Sequence, residues 1–147
     1  MNETLAVEVI RKTVTVDCAL EEAFRIFTTE VGSWWPTETY SIHGDEVREV
    51  VFEERAGGQV YEVSEGGEKA RWATVVAWEP PTRVVLSWEV SPKTLGTEVE
   101  VRFTRDGQGT RVDLEHRGWE SVADATERAG YESGWDIVLG RYVEHTG

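Results

Sequence analysis

The feature that most constrains the fold is a long run of alternating apolar and polar residues in the middle of the chain. Turn signals interrupt this run between residues 46 and 117, namely GG at 57, GG at 66, EPP at 79, a loop around Pro92 and Gly96, and DGQG at 106. Alternation of this kind is typical of strands with one covered face. The segments between the turns predict six strands, at 46–54, 58–64, 69–79, 82–90, 97–105 and 110–117. Because the connections are short, we expect neighbouring strands to be antiparallel.

A strand and a helix are predicted before this run. Apolar and polar residues alternate from Leu5 to Val16, which indicates a strand. Asp17 is the predicted N-cap, and apolar residues at helical spacing then predict a helix that ends at Gly32. The next segment, SWWPTETYSIHGDE, has several aromatic side chains and no clean period. We interpret it as a short helical turn and a loop that covers an apolar site.

The C-terminal segment is predicted to be a long amphipathic helix. One face carries Gly134 and the apolar residues Tyr131, Trp135, Val138, Leu139 and Tyr142. An interior helix glycine costs about 1 kcal/mol relative to alanine, so Gly134 indicates the close approach of a strand or a ligand. A face this wide needs a broad apolar partner. The sequence therefore predicts an α+β fold, ordered β, α, α, six β, α, in which a curved seven-stranded antiparallel sheet wraps around the long helix.

Length and charge limit the classes of protein to consider. A chain of 147 residues is long enough for one domain, predicted at 1–147. The net charge of −13 argues against nucleic acid and anionic membrane surfaces as partners. No apolar run is long enough to cross a membrane, and the start of the chain lacks the pattern of a secretory signal. Cys18 is the single cysteine, so no internal disulfide can form, and we expect a cytoplasmic protein.

Four segments together resemble a known family. They are SWWP at 33–36, AWEPPTRVVLSWEV at 77–90, GTEVEVRFTRDGQGTRVDLEHRGWE at 96–120 and GWDIVLGRY at 134–142. In this order they resemble the activator-of-Hsp90-ATPase-like branch of the Bet v 1/START superfamily, whose members are called SRPBCC domains. The resemblance implies a helix-grip fold with a hydrophobic cavity between sheet and long helix. It implies no universal catalytic residue, because the superfamily includes lipid carriers, polyketide cyclases and an Hsp90 co-chaperone domain.

Few titratable residues are candidates for chemistry. His116 falls on the covered face of its strand, where it is either a general base or ligand contact, or a core histidine, which we favour. His43 is expected to be solvated, and His145 lies near the end of the last helix. The three histidines lie far apart and no HxH, HxxxH or CxxC occurs, so we expect neither a metal site nor a cofactor. Cys18 is interpreted as a buried structural thiol.

The charged residues of the first strands are expected to be structural. An acidic set is interpreted as a solvated sheet surface, and it comprises Glu53, Glu54, Glu62 and Glu65. Arg71 is considered, beside His116 and the indole N–H groups, as a group that orients the polar end of a ligand.

The tryptophans carry the functional prediction. If they converge they form an aromatic-walled pocket for a flat or elongated apolar ligand, and if they interdigitate they are core. We favour a partly open pocket. The predicted ligand-binding residues are Trp35, Tyr40, Trp72, Trp88, Phe103, His116, Tyr131 and Trp135. The leading hypothesis is binding of a small apolar or aromatic ligand without established catalysis. The alternatives are a cyclase or hydrolase that uses His116 with a nearby carboxylate, and an Hsp90-type co-chaperone or interaction domain; self-association as a homodimer stays open.

Overall fold

A curved antiparallel sheet forms the framework of the protein. The structure is a computed structural model, and it describes residues 8–146. The strands are β1 (Ile10–Val16), β2 (Val47–Phe52), β3 (Gln59–Ser64), β4 (Lys69–Glu79), β5 (Arg83–Trp88), β6 (Thr97–Asp106) and β7 (Gly109–Arg117). They form one sheet in the order β1-β7-β6-β5-β4-β3-β2, with antiparallel neighbours throughout. All six strands predicted from the alternating run are present.

The first strand and the first helix differ from the predicted bounds. β1 begins at Ile10, and the predicted residues 5–7 lie outside the described residues. The helix α1 spans Leu20–Thr28 with Ala19 as its N-cap, so the prediction of Asp17 was wrong. The cause is the pairing of β1 with β7, which continues to Val16, together with a hydrogen bond of 2.9 Å from Thr110 Oγ1 to the Cys18 carbonyl. These contacts keep residues 17 and 18 beside β7, where they form a bend ahead of the helix.

The predicted end of this helix at Gly32 was also wrong. α1 ends at Thr28, and Gly32 lies within a separate short helix, α2 (Val31–Trp34). After α1 the Glu30 N–H donates to the Arg25 carbonyl at 3.2 Å. This backbone hydrogen bond spans one residue more than an α-helical bond and separates the two helices. The two helices together lead the chain from β1 towards the segment at 35–46, called here the lid segment.

The long helix α3 (Ala125–Thr146) lies against the concave face of the sheet. Its predicted apolar face is buried: Trp135, Val138 and Leu139 are at most 3% exposed and Tyr142 is fully covered. The Tyr142 hydroxyl donates to the Ala23 carbonyl at 2.7 Å, which ties α3 to α1. The helix-grip architecture expected from the sequence is therefore confirmed.

A side chain of the lid segment approaches Gly134, whereas a strand or a ligand was expected. A Cβ added at Gly134 would lie 3.4 Å from Cε1 of Tyr40. Glycine at this position therefore lets the Tyr40 ring pack directly on the backbone of α3. The lid segment and the long helix are joined at this contact.

The outer face of the sheet holds a buried ion cluster. Glu100 on β6 is only 5% exposed, because Arg83, Arg102 and Arg117 surround its carboxylate at 2.6–2.7 Å. Burial by itself would raise the pKa of Glu100, but the hydrogen bonds from the three arginines outweigh it and lower the pKa to about 2. The cluster links the adjacent strands β5, β6 and β7.

Candidate functional site

Aromatic side chains from the sheet, the lid segment and α3 surround a cavity of about 350 Å³, called here the aromatic pocket. The ring centroids of Trp35 and Trp72 are 4.9 Å apart, and those of Trp88 and Trp135 are 5.6 Å apart. The wall consists of Trp35, Thr39, Tyr40, Ser41, Trp72, Trp88, Val90, Thr126, Glu127, Gly130, Tyr131, Gly134, Trp135 and Val138. The structure brings Trp35, Trp72, Trp88 and Trp135 together around this open space.

The indole N–H groups of the pocket are already engaged within the protein. Their acceptors are the Tyr40 carbonyl for Trp35 (2.6 Å), Glu62 Oε1 for Trp72 (2.6 Å), the Tyr131 hydroxyl for Trp88 (3.1 Å) and His116 Nδ1 for Trp135 (3.1 Å). An N–H that already donates to a buried acceptor offers little to a ligand. The expectation that these groups orient a polar end was therefore wrong. They fix the orientation of the rings that form the wall.

Glu62 holds the lid segment and one pocket wall together. Its side chain on β3 is fully buried, so its assignment to a solvated acidic surface was wrong. The carboxylate accepts hydrogen bonds from the backbone N–H groups of Ile42 at 2.7 Å and His43 at 2.6 Å, in addition to the Trp72 indole. One carboxylate thus supplies the acceptors for two loop amides and a wall tryptophan.

His43 was expected to be solvated, but it packs against the same carboxylate. Its side chain is 21% exposed, and Nδ1 lies 2.7 Å from Glu62 Oε2 without the alignment of a hydrogen bond. The ring thereby covers Glu62 from solvent. His145, near the end of α3, lies 3.3 Å from the Ser33 hydroxyl.

His116 is a core residue and lies outside the pocket wall. It is fully buried, its Nδ1 accepts from the Trp135 indole, and its Nε2 lies 3.0 Å from Thr97 Oγ1. The Thr97 hydroxyl donates to the Thr94 carbonyl, so it accepts from a neutral imidazole that carries its proton on Nε2. The rings of Tyr131 and Trp135 separate His116 from the cavity. Burial lowers the pKa of His116 from the usual 6.5 to about 3.

This pKa predicts how stability depends on pH. Between pH 6.5 and 3 the unfolded chain binds a proton at His116 that the folded protein excludes. Stability from this group is therefore complete above pH 6.5 and falls by up to about 1.4 kcal/mol per pH unit as the pH is lowered. Glu100 has a pKa of about 2 in the folded protein, so it adds a further loss of stability only below pH 4.5, its ordinary pKa. Urea unfolding should show a shallower slope between pH 6.5 and 4.5 for His116→Gln than for the wild type. Equal slopes would contradict this assignment.

Two further residues from the sequence analysis lie away from the cavity. Phe103 packs between Phe24 and Phe27, with ring centroids at 5.1 and 5.7 Å, and so belongs to the core beneath α1. Arg71 is exposed and pairs with Glu89 at 3.0 Å, so it does not line the wall.

Cys18, interpreted from the sequence as a buried thiol, is only partly buried. Burial is the largest cause that raises the pKa of its thiol.

Several wall residues were not predicted. Glu127 and Gly130 lie on α3 ahead of the recognised apolar stripe, and extending the helical spacing from Tyr131 back by one turn would have found Glu127. Thr39 and Ser41 come from the lid segment, whose lack of periodicity offers no such signal.

The described part of the chain shows neither a cluster of metal ligands nor a membrane-spanning helix. Within residues 8–146, no group of three or more His, Cys, Asp or Glu is arranged to hold a metal ion. None of the helices in that range is long and apolar enough to span a membrane.

The family comparison agrees with the fold. The family model described as activator of Hsp90 ATPase homolog 1-like protein matches residues 17–145. The chain belongs to this family. A comparison of this family member with curated protein sequences gives no match.

Solved structures of similar fold cover nearly the whole chain. The self-sacrificing resistance protein CalC from Micromonospora echinospora is 26% identical with a TM-score of 0.74, over 96% of this chain and 95% of its own. The anthrahydroquino-gamma-pyrone synthase Txn09, solved in complex with SUM, is 26% identical with a TM-score of 0.62, over 94% and 96%. The Aha1 dimer from Colwellia psychrerythraea is 16% identical with a TM-score of 0.70, over 95% and 96%, and shows the fold alone.

Proposed function

We propose that the protein binds a small apolar or aromatic ligand in the aromatic pocket. The observation that carries this proposal is the open space of about 350 Å³ bounded by four tryptophans and two tyrosines. Pockets of this size and lining are typical of small-molecule sites. Rings fixed by internal hydrogen bonds bind without a large loss of side-chain freedom, which favours affinity for a flat ligand. The proposed contacts are the wall residues Trp35, Tyr40, Trp72, Trp88, Tyr131 and Trp135.

Two relatives support a role in small-molecule chemistry. Txn09 is a synthase solved as a complex, and CalC is a resistance protein, each 26% identical to this chain over nearly its full length. Neither likeness transfers a reaction, because fold and function separate readily in such domains. The proposal is therefore binding without a catalytic step.

The catalytic alternative depends on His116 as its general base, and the surroundings of His116 argue against that role. His116 has both ring nitrogens within hydrogen-bond distance of protein partners and lies behind the pocket wall. A general base must come within hydrogen-bond reach of the proton that it abstracts. Among the wall residues the remaining titratable groups are Glu127, Tyr40 and Tyr131, and no arrangement of them favours a second function. The co-chaperone alternative rests on the family name and stays a prediction for a pull-down with Hsp90.

A glycine on the pocket wall allows a direct test of binding. Gly130 lines the mouth one turn before Gly134, and a Cβ there would meet nothing within 4 Å. Gly130→Leu should preserve or raise stability, because a helical glycine costs about 1 kcal/mol relative to good helix formers. Its side chain should obstruct the mouth and weaken binding of N-phenyl-1-naphthylamine at least tenfold, as measured by probe fluorescence and by calorimetry.

Gly140→Leu is the matched control. Gly140 lies on the same helix, also has open space around its Cβ position, and does not line the pocket. This variant should bind the probe as the wild type does. Wild-type protein that leaves the probe unbound, or equal binding by both variants, would contradict the proposed function.

Location and assembly belong to the same proposal. A binding protein with one cysteine and no disulfide fits the cytoplasm, and fractionation of cells would test this. A homodimer stays a prediction, which sedimentation equilibrium would check.

A further inference from the structure

The one charged side chain in the wall of the aromatic pocket is a carboxylate. Among its wall residues Glu127 is the one carboxylate, and the wall contains no Lys, Arg or His. Two cations of the adjoining elements are engaged elsewhere, since Arg71 pairs with Glu89 and Arg128 donates to the Glu8 carbonyl at 2.7 Å. The one formal charge in the pocket wall is thus negative.

The carboxylate of Glu127 is available to a ligand. It lies in the first turn of α3, is partly buried, and within residues 8–146 it forms no ion pair with Lys, Arg or His. The start of the helix is capped by another residue, because Asp124 Oδ1 accepts from the Thr126 N–H at 3.0 Å. Glu127 is therefore not needed to satisfy the backbone N–H groups of this turn. Its charge reaches into the pocket, where it adds to the effect of burial in raising the pKa of Tyr131.

The aromatic wall has the same electrostatic preference. The faces of Trp and Tyr rings carry negative potential and attract cations, most strongly when water is excluded. The positive edges of the four indoles, their N–H groups, already donate to protein acceptors. An anionic ligand would therefore find neither a cation nor an indole donor, and a protein with a net charge of −13 repels it from a distance.

We propose that the aromatic pocket selects ligands that carry a cationic group, such as an amine, on a flat apolar body, with Glu127 as the counter-ion at the mouth. This inference rests on the proposed function and deepens it by naming the charge of the ligand. The flat body stacks within the wall of tryptophans, and the amine lies between the carboxylate and the ring faces. The interaction is a reversible ion pair and involves no covalent step.

Three probes of nearly equal size and different charge test this inference. They are 2-naphthylmethylammonium, 2-naphthylmethanol and 2-naphthoate, and their dissociation constants are measured by calorimetry at pH 7 and low salt. We expect the cation to bind at least fivefold more tightly than the alcohol, and the carboxylate to bind most weakly, because partly buried ion pairs and cation–π contacts add to the shared stacking. In 1 M salt, where charges are screened beyond about 3 Å, the preference should shrink.

Glu127→Gln identifies the counter-ion, and Glu144→Gln is its control. Glu144 lies on the exposed side of the same helix and away from the pocket, so both variants change the net charge equally. Glu127→Gln should remove most of the preference for the cation over the alcohol, whereas Glu144→Gln should retain that preference. A role of Glu127 limited to the helix dipole would change thermal stability and leave the order of the three probes intact.

The outcomes separate this inference from the proposed function. Binding of the alcohol without preference for the cation would overturn the inference and leave the proposed function standing. A preference that survives in Glu127→Gln would overturn the assignment of the counter-ion. Failure of all three probes, together with failure of N-phenyl-1-naphthylamine, would overturn both.

Discussion

Glu62→Ala is expected to lower the free energy of unfolding by about 3 kcal/mol or more, because one buried and two partly buried donors lose their acceptor at once. The N–H groups of Ile42 and His43 and the indole N–H of Trp72 all donate to this carboxylate at 2.6–2.7 Å. A buried N–H without a partner loses its hydration and gains nothing in return. Urea unfolding measures the loss directly.

The same substitution should release the lid segment from the sheet. Hydrogen exchange at residues 40–44 should therefore accelerate more than exchange in β6 and β7, since the anchor of the loop is removed while the central strands keep their pairing. Glu65→Ala is the control, because Glu65 is exposed and just follows the same strand. Equal stability of the two variants would contradict the role assigned to Glu62.

Tyr142→Ala is expected to cost about 3–5 kcal/mol, the range for removing a large buried aromatic side chain. The Tyr142 ring is fully covered and packs against Phe27 and Trp34, with centroids at 5.1 and 5.0 Å. Its hydroxyl donates to the Ala23 carbonyl, so the milder Tyr142→Phe should cost about 1 kcal/mol. Chemical denaturation of the three proteins checks both values.

A substitution at Tyr142 should change stability without changing ligand binding. Tyr142 does not line the aromatic pocket, so Tyr142→Phe should bind N-phenyl-1-naphthylamine as the wild type does. Ile137 lies on the outer side of the same helix and is 52% exposed, so Ile137→Ala should change neither stability nor probe binding. If Tyr142→Phe lost as much stability as Tyr142→Ala, the ring packing would not be the source of the effect.

The strands were predictable because their signals are local. Alternation marks the two faces of each strand, and the turn residues mark the ends, so the six strands of residues 46–117 emerged with small errors in their bounds. The start of α1 was not predictable in this way. Val16 pairs with Thr110 of a distant strand, and Thr110 also binds the Cys18 carbonyl, so residues 17 and 18 form a bend and the helix begins only after them. Tertiary contact decided the boundary.

The aromatic wall was predictable and its polar anchors were not. Helical spacing places Tyr131 and Trp135 towards the sheet, and strand alternation places Trp72 and Trp88 on its concave side. Glu62 shares its side of β3 with buried Val60, so alternation did indicate burial. Two of its three donors, however, are amides of an aperiodic loop up to 20 positions earlier. Only the folded chain brings these amides to the carboxylate.

The order of strands in the sheet has a consequence for how the chain acquires its structure. β1 pairs with β7, and the cross-strand hydrogen bond from Thr13 to Asp113 joins residues 100 positions apart. During synthesis β1 leaves the ribosome first, and its partner strand emerges only after all the other strands. Closing a loop of this length is slow compared with forming the consecutive hairpins β2 to β7. We therefore expect the hairpins to assemble as a nucleus and β1 to dock last, completing the sheet once β7 has been made.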